Sequence, residues 1–249
     1  MEGERASPDL TMRLERVLRA RGAALVGFAD LTVLPGGQRQ GFPRGISIAM
    51  PMNPAALRSL EGGEGSGQDG PTAAYHADYD DLNERLDALA AYAEEWLIRR
   101  GYRAMGLTRA AVAAGETDYD TLLPHKTVAT RAGLGWIGKC ALLVTRKFGS
   151  AVRLSSILTD APLRTGVPPN VPIEESACGG CEACKDACPA GAVSGRPWRA
   201  GLPRDAFWDA AACRRTARER SLRSLGKQVT LCGLCILCCP WTQTYLMRT

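Results

Sequence analysis

Nine of the ten cysteines in this 249-residue chain fall between Cys178 and Cys239. The first run reads Cys178-x2-Cys181-x2-Cys184-x3-Cys188-Pro189. The second reads Cys232-x2-Cys235-x3-Cys239-Pro240, and Cys213 stands alone between them. This is the spacing with which bacterial iron–sulfur segments hold two four-iron clusters. Two-residue gaps let one tight turn aim successive thiolates at a single cage. The fourth cysteine of such a run cannot fold back onto that cage and reaches the other one. The pattern therefore expects Cys178, Cys181, Cys184 and Cys239 on a first 4Fe–4S cluster. Cys188, Cys213, Cys232 and Cys235 are expected on a second. Pro189 and Pro240 stop the local helices and turn the chain away. Cys238 is left over.

Two other uses of cysteine compete with this reading. Structural zinc also takes Cys-x2-Cys pairs, but a zinc ribbon has no need of the full first run with its closing Cys-Pro. A disulfide framework belongs to small secreted chains. This chain is larger, and no apolar signal segment is read at Met1–Leu10. A cytoplasmic location is expected, because exposed clusters and free thiols persist where the medium is reducing. No apolar run approaches the roughly 20 residues that a membrane span needs, so no membrane partner is expected.

The cysteines also divide the chain. Residues 1–172 hold only Cys140, and residues 173–249 hold the rest. Two domains are expected on that boundary. In the first, helical periodicity at Leu10, Leu14, Val17 and Leu18 ends at Gly22. Ala23–Ala29, Ile46–Met52 and Tyr102–Leu107 read as strands, and Asp78–Arg100 as a long helix with Asp78 as its N-cap. Lys126–Ala132 reads as a helix. Ala141–Thr145 and Val152–Leu158 read as a strand pair turning at 147–150. This irregular alternation predicts an α+β layered domain rather than a doubly wound sheet. Gly65-x-Gly67-x-x-Gly70 matches the dinucleotide fingerprint, but no strand leads into it, and Glu61, Glu64 and Asp69 would repel phosphate.

Residues 173–249 carry eleven Lys/Arg against seven Asp/Glu. Most of the excess lies between Arg196 and Lys227. Such a stretch either solvates a helix face or docks an anionic partner, an acidic electron donor or RNA. In the RNA case Arg214, Arg215, Arg218, Arg220 and Arg223 would meet phosphates.

A second unusual segment is Ala132-Gly-Leu-Gly-Trp-Ile-Gly-Lys139. Its glycines allow positive φ and a close approach of backbone to a flat ligand. It follows a helix and precedes a strand, the reverse of a dinucleotide site. The residues alone leave open a cofactor-lining loop or a tight structural turn. This segment, then Ile157-Leu-Thr-Asp160, then the two cysteine runs closing at Cys239-Pro240-Trp241, resembles the epoxyqueuosine reductase family. Gly22–Ala29 and Pro43-Arg44 before Ile46–Met50 are similar to that family's opening elements.

The resemblance implies a cobalamin-dependent oxidoreductase. Its first domain would be a nitroreductase-like, cobalamin-processing fold, followed by a ferredoxin-like double 4Fe–4S domain that feeds electrons to cobalt. Trp136, Ile137, Gly138, Lys139 and Cys140 would line the corrin, and Tyr75 would face the site. A ferredoxin or flavodoxin would supply electrons. The family reaction removes the epoxide oxygen of epoxyqueuosine in tRNA. Here the family's catalytic aspartate position falls on Tyr119, so the candidate proton donors are Asp118, Asp120 and His125. The chain stops eight residues after Trp241, where longer family members continue into a helical-repeat region that helps to grip tRNA. The expectation is therefore a shorter branch acting on a small or nucleoside-like substrate, with tRNA the less favoured one. The competing class is an electron carrier with no substrate of its own.

Cys140 and the two histidines carry bland readings as well. A buried, inert cysteine is the commoner case. His125 can simply be a hydrogen-bonded residue at a helix start. His76 can belong to a capping segment.

Overall fold

A computed structural model describes residues 8–61, 70–110, 121 and 123–249. The chain falls into two compact units, each assembled from three segments. The first comprises 1–50, 83–135 and 153–173, and the second 51–82, 136–152 and 174–249. The cysteine-rich tail thus shares its unit with 51–82 and 136–152.

In the first unit, α1 (Pro8–Ala20) buries Leu14 and Leu18 completely. Gly22 leaves the helix at a φ of 99°, which a residue with a Cβ adopts only under strain. Strands β1 (Leu25–Asp30) and β2 (Arg44–Pro51) follow. They pair antiparallel, from Leu25 opposite Ala49 to Asp30 opposite Arg44. The long helix α3 (Ala73–Ile98) leads to β3 (Ala104–Gly106), and α4 (His125–Arg131) follows it. With β6 (Val152–Thr159) these strands form a four-stranded sheet in the order β1-β2-β6-β3. Helix α4 lies close on β1 and β2. A Cβ on Gly27 would meet Leu134 Cδ2 at 2.8 Å, and one on Gly45 would meet Val128 Cγ1 at 2.8 Å. Ala29, Leu31, Phe42, Val128 and Leu158 are core residues of this layer. The α+β class expected from the sequence is the class observed.

The second unit is built of short pieces. Helix α2 (Pro54–Arg58) is capped by Asn53, whose side chain accepts from Ala55 N. Strands β4 (Trp136–Ile137) and β5 (Leu143–Val144) form a two-residue ladder. Helices α5 (Ala183–Asp186) and α7 (Leu234–Leu237) carry Cys184 and Cys235 and pack on each other. Between them runs α6 (Ala210–Leu225), capped by Asp209, whose side chain accepts from Ala212 N, and closed by Gly226 at a φ of 69°. Helix α8 (Pro240–Leu246) starts immediately after Cys239. It is pinned to the turn after β5, where Ser150 N donates to Thr242 Oγ1 at 3.1 Å.

Two local expectations are corrected. Residues 143–144 pair with 136–137, and β6 joins the large sheet, so 141–145 and 152–158 are not partners. The turn alone is as read, with Thr145 bridged to Gly149. The long helix begins at Ala73, so Asp78 is inside it. Its carboxylate instead accepts from Asn53 N at 3.0 Å. Among the described residues, no helix is long and apolar enough to cross a membrane.

Candidate iron–sulfur site

All ten cysteines are free thiols. Within the second unit, Cys178, Cys181, Cys184 and Cys239 line one cavity of about 110 Å³, together with Cys140 and Cys235. Among the described residues, no three ligating side chains converge closely enough to hold a single metal ion. The thiols surround a space instead. Thiols spread around a cavity suit a multi-iron cage, whose irons stand apart and each take one thiolate.

Of the remaining thiols, Cys213 lies with Cys188 and Cys232. Burial raises the Cys213 thiol to about 11, and the neighbouring sulfurs of Cys188 and Cys232 add to the shift. Cys238 is raised to about 12 by burial and by Cys184, Cys239 and Cys181. The leftover cysteine of the sequence reading therefore lies beside the first group. Left as thiols, these groups stay protonated at neutral pH. Iron reverses that, because a coordinating thiol is deprotonated outright.

The end of the glycine-tryptophan segment, from Gly138 on, lines this site. Gly133, at a φ of 73°, abuts the carbonyls of Val171 and Pro169, where a Cβ would come within 2.6 Å and 2.7 Å. A Cβ on Gly138 would meet Val144 Cγ2 at 2.9 Å. Packing therefore accounts for both glycines, the first within its own unit and the second within the ladder. Trp136 is 1% exposed and meets Trp241 edge-on, ring centroids 5.3 Å apart. Lys139 is buried, and its ammonium donates to the Cys181 carbonyl at 2.8 Å. Gly138, Lys139 and Cys140 all line the cysteine cavity, and Ile137 is buried in the β4–β5 ladder. A buried cation beside such a cavity offsets the negative charge of an iron–sulfur cage.

Tyr75 is buried and braces the second cysteine run. Gly233, between Cys232 and Cys235, sits at a φ of 83°, and a Cβ there would lie 2.5 Å from Leu60 Cδ1 and 2.9 Å from Tyr75 Cζ. Sequence reading missed Leu60. Nothing local marks it, because its role depends on 51–82 folding onto the cysteine tail.

His125 lies in the first unit, at the start of α4. Its Nδ1 is 3.1 Å from Ser156 Oγ. Desolvation lowers its pKa to about 4, Arg153 adds to the shift, and the Asp87 carboxylate opposes it. Arg153 donates twice to Asn83 Oδ1, at 3.2 and 3.0 Å. At neutral pH His125 is an uncharged imidazole within a polar group of β6 and α3. Asp118 and Asp120 lie outside the described residues.

Residues 177–242 match the family described as a 4Fe-4S double cluster binding domain. An epoxyqueuosine reductase of Bacillus cereus is 39% identical over 112 residues, which are 45% of this chain and 25% of that one. Over about half of its length the chain is similar in sequence to epoxyqueuosine reductases. The match spans about a quarter of the Bacillus protein's length. In three dimensions the chain resembles an epoxyqueuosine reductase solved with an epoxyqueuosine-modified tRNA-Tyr stem loop. The TM-score is 0.59 at 21% identity, over 94% of this chain and 66% of that one. It also resembles a reductive dehalogenase described in terms of B12-dependent dehalogenation, with a TM-score of 0.66 at 17% identity, over 97% of this chain and 33% of that one. At these identities the structural matches speak to the fold. The two 4Fe–4S clusters expected from the cysteine spacing agree with the matched domain.

Proposed function

We propose that this protein is an iron–sulfur reductase that passes electrons through two 4Fe–4S clusters to a cobalamin-type cofactor, for reduction of a nucleoside-like substrate. The observation that carries the reading is the cavity framed by cysteine sulfurs, together with a further group of Cys188, Cys213 and Cys232. Its donor set fits the clusters: every ligand is a soft thiolate, none is lost to a disulfide, and the spacing is that of a two-cluster segment.

Cys178, Cys181, Cys184 and Cys239 would hold the first cluster. Cys188, Cys213, Cys232 and Cys235 would hold the second. Lys139 lines the first cavity and ties its turn to the Cys181 backbone. When bound, cobalamin supplies the reductive chemistry that side chains cannot. The assignment draws support from the kinship with epoxyqueuosine reductases and from the fold shared with a B12-linked dehalogenase. A local observation adds to it. Trp136 Nε1–H is buried with no acceptor among the described residues, a donor of the kind that a bound group completes. His125, held neutral against Ser156, would orient groups by hydrogen bonding rather than carry a charge.

The substrate assignment rests on the relatives. A nucleoside within tRNA would need basic residues on the surface. Arg215, Arg223 and Lys227 are exposed there, whereas Arg220 is 7% exposed and offers nothing to a phosphate. A ferredoxin or flavodoxin would deliver the electrons.

The test is an anaerobic titration of the two-cluster protein with cobalamin, read by the cobalt EPR signal. A saturable change in that signal at one equivalent supports the reductase, and tRNA is then tried as a ligand at rising salt. No change with both clusters intact leaves a two-cluster electron carrier and overturns the reductase.

A further inference from the structure

Ten thiols serve two cages that need eight. The two extra thiols are not shared evenly. Cys213 lies with Cys188 and Cys232, whereas Cys235, the fourth ligand expected on the second cage, lines the first cavity beside Cys140. Cys140 and Cys238 both lie with Cys184. Of the two, Cys140 is the better placed. It lines the cavity itself, alongside Cys178, Cys181, Cys184 and Cys239. Its sulfur is within hydrogen-bonding reach of the sulfurs of Cys184 and Cys235.

The turn that carries Cys140 is fixed from both sides. Gly138 N donates to Leu142 O at 2.8 Å, and Ala141 N donates to Gly138 O at 2.9 Å. Ala141 is held at a φ of 61°, an unfavourable value for a residue with a Cβ. On the other side, the Lys139 ammonium bonds the Cys181 carbonyl. The backbone thus holds the Cys140 sulfur at the wall of the cavity, beside that of Cys184.

We propose that Cys140 is a reserve ligand of the first cluster, able to take over the iron held by Cys184. The exchange needs no oxidant or reductant. Cys140 Sγ bonds the iron and gives up its proton, while Cys184 Sγ leaves the iron and takes up a proton. The two sulfurs already share a hydrogen bond. This inference rests on the two-cluster reading, and the wild-type iron count tests that reading separately.

The experiment compares iron and acid-labile sulfide per chain, and the EPR of the reduced clusters, in anaerobically purified full-length variants. The wild-type protein and C140A are expected to hold about eight irons. C213A, which removes a thiol that lies with Cys188 and Cys232, is expected to fall to about four. C184A should stay near eight, with an altered first-cluster signal, and C140A/C184A should fall to about four. A fall of C184A to the C213A level overturns the proposal. Eight irons in the double variant would also overturn it, and would give the reserve role to Cys238. A second measurement does not depend on C184A folding. Under an iron chelator, C140A should lose its first-cluster signal several-fold faster than the wild-type protein, and equal rates would refute the proposal. A wild-type count well below eight would instead fail the two-cluster reading.

Discussion

His125 shows how one residue's setting changes its chemistry. In an unfolded chain a histidine titrates near 6.5, and here desolvation brings it to about 4. The folded protein therefore binds fewer protons than the unfolded chain between those values. Its stability is fully present above pH 6.5 and is lost as pH falls toward 4. Between pH 8 and pH 5.5 the cost should be about 1 kcal/mol, and H125Q should escape it. Denaturant midpoints of the two proteins at the two pH values check this; parallel losses would show that His125 does not titrate as described. The sequence could mark His125 as one of two histidines, but not its pKa. That value depends on burial in the fold, and then on Arg153 and Asp87, which lie far from it in the chain. The cysteines are the opposite case. Their roles are set by local spacing, and spacing is visible in a sequence.

At the scale of elements, α8 shows what holds the last expected cluster ligand in place. Cys239 is its N-cap, Thr242 is fully buried, and Tyr245 donates to the Met52 carbonyl at 2.9 Å. Its partner is the turn at Gly149, where φ is 59° and a Cβ would fall 2.2 Å from Thr242 N. Neither the backbone conformation nor the space admits a side chain. Gly149→Ala should therefore cost roughly 2 kcal/mol or more and push α8 outward. Cys239 would move with it, and the first cluster should become more labile to chelator than the second. Unchanged stability together with unchanged cluster lability would show that this contact does not hold Cys239. Strands β1, β2 and β6 were legible because their apolar runs are long enough to set a pattern. The β4–β5 ladder was not, because two residues carry no period. The segment 141–145 was therefore paired with the wrong neighbour, although its turn at 147–150 was read correctly from composition.

For the whole molecule, the two units are stabilised by different means. The first has a four-stranded sheet and its own apolar core, including Phe28, Ile46, Ile48 and Leu158. The second spends residues 174–209 on isolated bridges, one four-residue helix and a single 3-10 turn. Within that stretch only Ala192, Val193 and Phe207 are buried hydrophobics, and metal-stapled domains make up such a shortfall through their ligand bonds. Iron removal should therefore act on one unit alone. Four of the five tryptophans, Trp136, Trp198, Trp208 and Trp241, lie in the second unit, so emission should shift strongly to the red on anaerobic chelation. Amide exchange should become fast across 174–239, while 25–30, 44–50 and 153–159 keep their protection. If both units lost protection together, the first would depend on the clusters for its fold. If neither did, the cysteine segment would have a stable core of its own, and the clusters would serve electron transfer alone.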